Sequence, residues 1–248
     1  MNKPLPPEIL ATASDRYGTH AVYNQAKPAA GFNAFSGDAV VRGVIEREAP
    51  WAAERCAALG AVAGEEEVQE LARLANRNLP ELKTHDRFGN RIDWVDFHPS
   101  WHQLMALCWK HEVPSLAWRT REQHGHVARA VLSYLWNQVE HGTACPMGMA
   151  YAAYPGFERE PALAIWAEKV KGTTYEFSRR EVGLKPSVVI GYGMTEKQGG
   201  SDLRATQTTA RYSHAGDYHG AVAHWYELTG HKWFCSVPQS DGFFTLAT

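Results

Sequence analysis

The spacing of apolar residues changes partway along this chain, and that change limits the folds the chain can adopt. Up to about residue 171, apolar side chains recur at steps of three and four, as in amphipathic helices. From residue 187 onward they alternate with polar residues or form β-branched and aromatic runs, which favour strands. The stretch between, Lys171–Pro186, is polar and contains Gly172 and Gly183, as domain boundaries often do. We therefore expect a helical domain followed by a strand-rich domain.

Three parts follow from this pattern, and together they predict an α+β fold. Residues 1–35 are rich in proline, alanine and glycine and are predicted to form an extended N-terminal arm. Residues 36–185 are predicted to form an all-α domain, and residues 186–248 the first strands of an antiparallel β-barrel-like domain. The last strand runs to Thr248 with no partner for its edge and no closing segment. We therefore expect this chain to be the first part of a longer protein.

Local signals place several helix ends. Ser36 or Asp38 can cap the first helix, because a short polar side chain accepts from the free N–H groups of a first turn. The strongest periodic pattern predicts a helix over His126–His141. A further helix is expected to start at Cys145-Pro146 and to stop before Pro155, because proline lacks the N–H that a helix interior needs.

Extended segments are predicted in both parts of the chain. Between Leu82 and Phe97, the turn Phe88-Gly89-Asn90 predicts a small hairpin, and Pro99 then opens a helix. In the C-terminal part, the predicted strands cover residues 187–194, 205–213, 223–236 and 243–248.

Composition excludes several classes of partner. Twenty-five basic and 27 acidic residues give a formal charge of −2, so no global positive field attracts nucleic acid or an anionic membrane. The four cysteines are far apart in sequence, and the N-terminus shows no secretory leader. No apolar run approaches the ~20 residues of a membrane span. We therefore predict a soluble, cytoplasmic protein without a membrane partner.

One glycine-rich stretch and a later segment carry the chemistry. The run Val188–Ile190 favours a strand, after which Thr195 and Ser201 bracket a turn with two glycines. Hydroxyls and free amides in such a turn suit the carbonyls of a flat heterocycle or the oxygens of a pyrophosphate. On a predicted strand, Phe234 and Ser236 point the same way. These features predict a binding surface, although the turn taken alone could simply connect two strands.

Other patterns have simpler explanations. His98 and His102 could present two imidazoles to a metal from one helix, but no third ligand has suitable spacing, so capping or surface roles are favoured and no metal is predicted. The run Gly191-Tyr192-Gly193 lacks the third glycine and the helix of a dinucleotide-binding motif. Cys108 and Cys145 sit in apolar or Met-rich surroundings and are expected to pack as small hydrophobes. The Trp and Tyr residues of the helical part lack interleaved Arg and Lys, which favours core packing over a nucleic-acid platform.

Two longer motifs resemble a known family. They are Tyr192-Gly193-Met194-Thr195-Glu196-Lys197-Gln198-Gly199-Gly200-Ser201-Asp202 and Gly230-His231-Lys232-Trp233-Phe234-Cys235-Ser236. Together they resemble the acyl-CoA dehydrogenase superfamily, and within it the AidB-like branch of alkylation-response proteins. Further similarity lies upstream, in Leu74-Ala75-Asn76, Pro80-Glu81-Leu82, His98-Pro99 and Cys145-Pro146, so the resemblance covers most of the chain.

This resemblance implies FAD as cofactor and a role for each matched residue. Contacts to the edge of the flavin ring are implied for Tyr192, Met194 and Thr195, and the other side of the ring would be lined by Phe234, Cys235 and Ser236. Ser201 would bond to the cofactor and lie beside an acyl thioester. Phe234 and Ser236 stand where most of the superfamily has Trp and Thr, which leaves the shape of the acyl pocket open. The segment at residues 214–224 looks longer than the usual hairpin connection, and no function is assigned to it.

The same resemblance limits what this chain does alone. The family's glutamate base and much of its cofactor pocket lie in a C-terminal helical domain, so no catalytic residue is assigned before Thr248, and Glu196 is interpreted as a turn residue. An acyl-CoA, or a similar thioester, is the implied partner, in a homo-oligomer that is a tetramer in the family. Duplex DNA would bind only through that C-terminal region.

Two functions remain open. One is an FAD-dependent oxidoreductase, of which this chain is a catalytically incomplete N-terminal part. The other is a flavoprotein that acts by binding, through DNA protection or as an oligomer scaffold, with weak dehydrogenase activity.

Overall fold

The structure, a computed structural model, describes residues 29–248, so most of the predicted arm lies outside the described residues. Residues 31–248 form one compact unit that combines helices with small sheets. Its helices are α1 (Ala39–Glu48), α2 (Ala53–Ala63), α3 (Glu66–Arg77), α4 (Pro99–Lys110), α5 (Leu116–Arg119), α6 (Gly125–Asn137), α7 (Ala144–Glu158) and α8 (Ala164–Lys169). Its strands are β1 (Glu81–His85), β2 (Arg91–Asp96), β3 (Ile190–Gly193), β4 (Thr209–Tyr218), β5 (Ala221–Thr229) and β6 (Gly242–Thr245). The α+β fold class is thereby confirmed.

The helix starts follow local capping chemistry. Of the two candidate caps for α1, Asp38 acts: its carboxylate accepts from the N–H groups of Val40 and Val41 at 2.9 and 3.2 Å. Pro99 opens α4, and the ring Nδ1 of His98 accepts from the Ser100 N–H at 3.3 Å. His98 therefore caps a helix, as its simpler interpretation predicted.

The helix predicted over His126–His141 ends earlier, at Asn137. The carboxylate of Glu140 accepts from the N–H groups of Gly142 and Thr143 at 2.6 and 2.5 Å. These local bonds satisfy the amides in a tight turn, which competes with continued helix. Trp136 is completely buried in the core and donates its indole N–H to the Thr143 hydroxyl at 2.9 Å.

The prediction that a helix stops before Pro155 was wrong, because α7 continues through this proline to Glu158. A proline in a helix interior frees the carbonyl four residues earlier, here that of Tyr151. The indole N–H of Trp118 donates to that carbonyl oxygen at 2.9 Å. A side chain from α5 thus replaces the missing bond and lets the helix continue.

The strands form two antiparallel hairpins and one parallel pair. The predicted hairpin is β1–β2, and β4 pairs with β5 in the same antiparallel way. In contrast, β3 and β6 pair in parallel, from Ile190 opposite Gly242 to Gly193 opposite Thr245. The strands of residues 29–248 do not close into a barrel. Thr248 exchanges backbone bonds with Thr208 and Ala210 at 2.9 and 2.8 Å, so the expectation that this end has no partner was wrong.

The strand boundaries in the C-terminal part also differ from expectation. The segment at residues 214–224 is part of a long hairpin whose turn is only His219-Gly220, both with positive φ as a type I′ turn requires. The strand predicted over residues 223–236 ends at Thr229. Gly230 has φ +151° and Phe234 φ +63°, values incompatible with a continuous strand. Residues 230–241 therefore follow an irregular path.

Candidate functional site

The two sequence motifs lie side by side in the structure. The carbonyl oxygen of Thr195, just after β3, accepts from the N–H of Trp233 at 2.7 Å. The N–H of Lys197 donates to the ring Nε2 of His231 at 2.9 Å. These two hydrogen bonds join the glycine-rich turn to the segment after β5, as a shared binding surface requires.

Glu196 is the centre of this junction. Its side chain is almost completely buried, and its carboxylate accepts from the Lys232 ammonium and the Thr208 N–H at 2.8 and 2.9 Å. The Thr208 hydroxyl and the Gln207 N–H donate to it at 2.6 and 2.8 Å, and the Gln198 amide donates as well. Five donors around one carboxylate form a charge-assisted network that crosses three separate segments.

These contacts set the charge state of Glu196. The Lys232 bond, followed by the Thr208 and Gln207 bonds, holds the Glu196 pKa far below its ordinary value. A carboxylate with so low a pKa is a weak base, and all of its donors come from the protein. Glu196 therefore acts as a structural anion, consistent with its interpretation as a turn residue.

The glycine turn is built by close packing on one side and is open on the other. A Cβ on Gly200 would lie 2.7 Å from Cγ2 of Thr195, so only glycine fits there. A Cβ on Gly199 would meet no atom within 4 Å. Within residues 29–248, the N–H groups of Gly200 and Ser201 donate to no protein group, and the Ser201 side chain is exposed. The turn thus presents free donors to whatever approaches it.

Tyr192 and Met194 lie at the inner edge of this surface. The Tyr192 ring stacks on Phe244 of β6, with centroids 5.3 Å apart, and burial raises the pKa of its phenol. Met194 is half-buried, and its carbonyl oxygen lies 3.5 Å from the Lys232 Nζ. Both side chains are partly buried, beside the end of β3 from which the turn starts.

Phe234, Cys235 and Ser236 lie on the outer edge and are all exposed. The strand geometry predicted for them was wrong, because Phe234 has a left-handed backbone and is 73% exposed. Cys235 lies beside β3, since its Sγ is 3.7 Å from the position that a Cβ on Gly193 would take. The irregular path thus brings this segment against the end of β3 and leaves the Phe234 ring in solvent.

The chemistry of this surface suits a flat, oxygen-rich group. The two joined segments carry the hydroxyls of Thr195, Ser201 and Ser236, the two free amides of the turn and the exposed rings of Trp233 and Phe234. Flavin and pyrophosphate oxygens accept hydrogen bonds from such donors, and an aromatic ring packs on a flat heterocycle.

Sequence reasoning did not find the roles of Thr208, Lys232 and Gln207. The available signal was a Lys in one motif and a Glu in the other, since a buried pair of opposite charge joins segments in space. Thr208 lay inside a predicted strand, and nothing in its neighbourhood indicated a carboxylate partner.

Comparison with known proteins relates this chain to one family. A family model described as "Adaptive response protein AidB N-terminal domain" matches residues 24–177. The curated "Putative acyl-CoA dehydrogenase AidB" of Escherichia coli is 40% identical over 233 residues, covering 92% of this chain and 42% of that protein. "Acyl-CoA dehydrogenase family member 11" of Caenorhabditis elegans is 26% identical over 183 residues, covering 73% of this chain and 28% of that protein.

Solved structures show the same fold. The apo form of Bd2924 superposes with a TM-score of 0.74 at 23% identity, covering 88% of this chain and 43% of that one. Caenorhabditis elegans ACDH-11 in complex with C11-CoA gives a TM-score of 0.68 at 21% identity, covering 90% and 37%. This chain spans about two-fifths or less of the length of the curated relatives described above. It belongs to the family of AidB N-terminal domains, which is related to the acyl-CoA dehydrogenases.

Proposed function

We propose that this chain forms one wall of an FAD site in an acyl-CoA-dehydrogenase-like protein of the AidB type. The observation that supports the proposal most directly is the junction at Glu196, which holds the glycine turn against the segment that carries Phe234. The family relationship adds support, because both curated relatives described above carry acyl-CoA dehydrogenase in their names.

Each candidate residue has a role in this proposal. Thr195 and Ser201 would donate hydrogen bonds to the ring edge and to the phosphates, and the free amides of the turn would help to position them. Phe234, Cys235 and Ser236 would cover one side of the flavin ring. Tyr192 and Met194 would contact the edge of that ring. Ser201 would also lie beside an acyl thioester. Bound FAD would supply an acceptor for the hydride that leaves an acyl chain.

We propose further that the catalytic base lies in another part of the protein. Glu196 lies within the turn, but its carboxylate is buried, paired with Lys232 and held at a low pKa. A general base needs a free acceptor within reach of the proton and a pKa near the working pH. On this proposal, the wall supplied here binds and orients, and proton removal belongs to a separate glutamate.

Titration with FAD tests the proposal. FAD added to the purified protein should shift in absorbance and lose fluorescence on binding. Thr195→Ala and Ser201→Ala should each weaken the affinity about fivefold, the effect of one lost hydrogen bond. Thr209→Ala is the matched control, because Thr209 lies exposed on β4 and its hydroxyl makes only a 3.4 Å contact with Thr229. Equal affinity in the double variant and the wild type would rule out this site.

A second candidate is a flavoprotein whose main activity is binding. The family description as an adaptive response protein favours it, since that description names a response and not a metabolic step. The two candidates share the flavin site and differ in turnover: rapid reduction of bound flavin by an acyl-CoA would support the enzyme. Duplex DNA binding through a C-terminal region, assembly as a tetramer and a cytoplasmic location stay predictions.

A further inference from the structure

A second pocket, of about 340 Å³, lies at the meeting point of three segments. Its walls come from β2 at residues 93–95, from residues 177–180 and from residues 238–241. None of these residues belongs to the proposed flavin site. We propose that this pocket, called here the arginine pocket, binds a small phosphate monoester with a flat ring, of the size of a nucleoside monophosphate.

The charge of the arginine pocket favours an anion. The guanidinium of Arg179 donates to the Ile92 carbonyl oxygen at 2.9 Å and lies over the Trp94 ring at 4.6 Å. Among residues 29–248, Arg179 has no carboxylate partner, whereas Arg180 faces Glu176 at 3.4 Å. An anchored guanidinium with unused N–H groups is a strong phosphate ligand, because its planar fork matches the phosphate oxygens.

The acidic residues of the pocket do not cancel this charge. The Asp93 carboxylate is paired with Arg91 at 2.6 Å, and the Asp241 carboxylate with the buried Lys185 at 2.6 Å. Both acids thus have a cation of their own. The positive charge of Arg179 is therefore not neutralised by these acids and is available to a ligand.

The wall also contains a polar group without a protein partner. Both the Oε1 and the Nε2 of Gln239 are buried and make no hydrogen bond within the described part of the chain. A buried, unpaired amide costs free energy, and rotation of the Gln239 side chain into the pocket would let a ligand edge with one donor and one acceptor satisfy it. Heterocyclic bases present such an edge to glutamine, as adenine does in nucleic-acid recognition.

Size and ring chemistry select among the phosphate monoesters. A volume of about 340 Å³ is far more than a bare phosphate ion needs and lies within the range of small-molecule sites. The rings of Trp94 and Phe177, 4.9 Å apart, line the same space and offer apolar contact to a flat group. Adenosine monophosphate combines all of these features and is the probe we choose.

Calorimetric titration of the purified protein with adenosine monophosphate tests the proposal. We expect one site, whose affinity falls as salt rises because an ion pair carries part of the binding. Arg179→Met should weaken binding roughly tenfold or more, and Arg179→Lys by less, since lysine keeps the charge but loses the fork. Arg204→Met is the matched control, because Arg204 is an exposed arginine outside the pocket, its side chain 97% accessible.

Gln239→Met separates ligand binding from a structural role. Because the wild-type amide is unpaired, an apolar side chain of similar size should leave the melting temperature unchanged or raise it, while binding weakens severalfold. If this variant fails to fold, the surface variant Arg179→Met still decides the question.

Three results would overturn the proposal. The first is no binding of adenosine monophosphate at millimolar concentration. The second is equal affinity for inorganic phosphate, which would remove the ring, or for adenosine, which would remove the phosphate. The third is displacement by FAD combined with sensitivity to Thr195→Ala, which would place the nucleotide at the flavin site. Undiminished binding to FAD-saturated protein supports a separate site.

Discussion

Glu196 shows how one carboxylate can hold a binding surface together. Its five donors come from the turn itself, from the residues before β4 and from the segment after β5. The side chain is removed from water, so the bonds are shielded, but loss of the Lys232 ammonium would leave a buried carboxylate without its counter-charge. The candidate binding surface and the fold around it therefore both depend on the Glu196 carboxylate.

We predict that Glu196→Gln lowers both stability and flavin affinity. The variant keeps the shape but removes the charge, which leaves the Lys232 ammonium buried without its partner. At neutral pH the melting temperature should fall by several degrees, as measured by circular dichroism. The affinity for FAD should fall as well, because the ion pair that holds the turn to Lys232 of the later segment is lost.

The pH dependence of this loss follows from the lowered Glu196 pKa. A carboxyl group whose folded pKa is below its unfolded value stabilises the protein fully above the unfolded pKa, here about 4.5. The difference between wild type and variant should therefore be constant from pH 7 to about pH 5. It should shrink as the pH falls further. Glu227→Gln, in an exposed pair with Arg211, is the control, and an equal loss there would contradict the argument.

At the scale of elements, α7 depends on a contact with a neighbouring helix. The ring of Pro155 frees the Tyr151 carbonyl, and the Trp118 indole satisfies it while stacking on Tyr151 and Tyr154. We predict that Trp118→Phe costs about 1 kcal/mol in the free energy of unfolding, because stacking persists and only the hydrogen bond is lost. Urea denaturation measures this loss.

A double-mutant cycle identifies the cause. Pro155→Ala restores a backbone N–H that can bond to the Tyr151 carbonyl, so Trp118→Phe should cost less in that background. Trp51→Phe is the matched control: the Trp51 indole donates to the exposed Gln123 carbonyl, which water can satisfy instead. Equal costs of Trp118→Phe in both backgrounds would refute the explanation.

These elements also show what a sequence can predict. The Asp38 cap, the Pro99 start and the β1–β2 hairpin rest on residues within a few positions of one another, and each was predictable. The passage of α7 through Pro155 depends on a tryptophan 37 residues away, because Trp118 and Pro155 meet only in the folded chain. Sequence patterns within a few residues cannot predict a contact between residues so far apart.

The candidate site also combines features that local sequence indicates with features that depend on distant residues. Thr195, Ser201 and Phe234 stood out because glycines and hydroxyls form a recognisable local pattern. The pair that holds them in place, Glu196 and Lys232, is 36 residues apart, and the left-handed backbone of Phe234 follows from tertiary packing. The candidate residues could therefore be picked out from the sequence, whereas the scaffold that positions them could not.

At the scale of the whole molecule, a buried ion pair joins the boundary segment to the strand-rich part. Lys185 is 2% exposed, and its ammonium contacts the Asp241 carboxylate at 2.6 Å and the Ser178 carbonyl oxygen at 3.0 Å. Asp241 also accepts from the Val189 N–H at 2.8 Å, just before β3. The segment predicted to be a domain boundary is thus fixed to the sheet that carries the candidate site.

We predict that Lys185→Met lowers the free energy of unfolding by about 3 kcal/mol at pH 7, because a buried carboxylate loses its counter-charge. Burial already raises the pKa of Asp241, and loss of the lysine should raise it further. A folded acid with a raised pKa binds protons more tightly than the unfolded chain, so the variant should regain stability as the pH falls from 7. Urea denaturation at several pH values measures this recovery.

Two variants show whether the buried charge is the cause. Adding Asp241→Asn to Lys185→Met removes the unpaired charge and should restore most of the stability at pH 7, while the bond from Val189 can persist. Lys83→Met removes the same type of side chain from an exposed pair with Asp96 and should cost far less, because an exposed ion pair contributes little to stability. If the double variant stays as unstable as Lys185→Met, lost packing of the lysine stem is responsible, because no charge then remains to be neutralised.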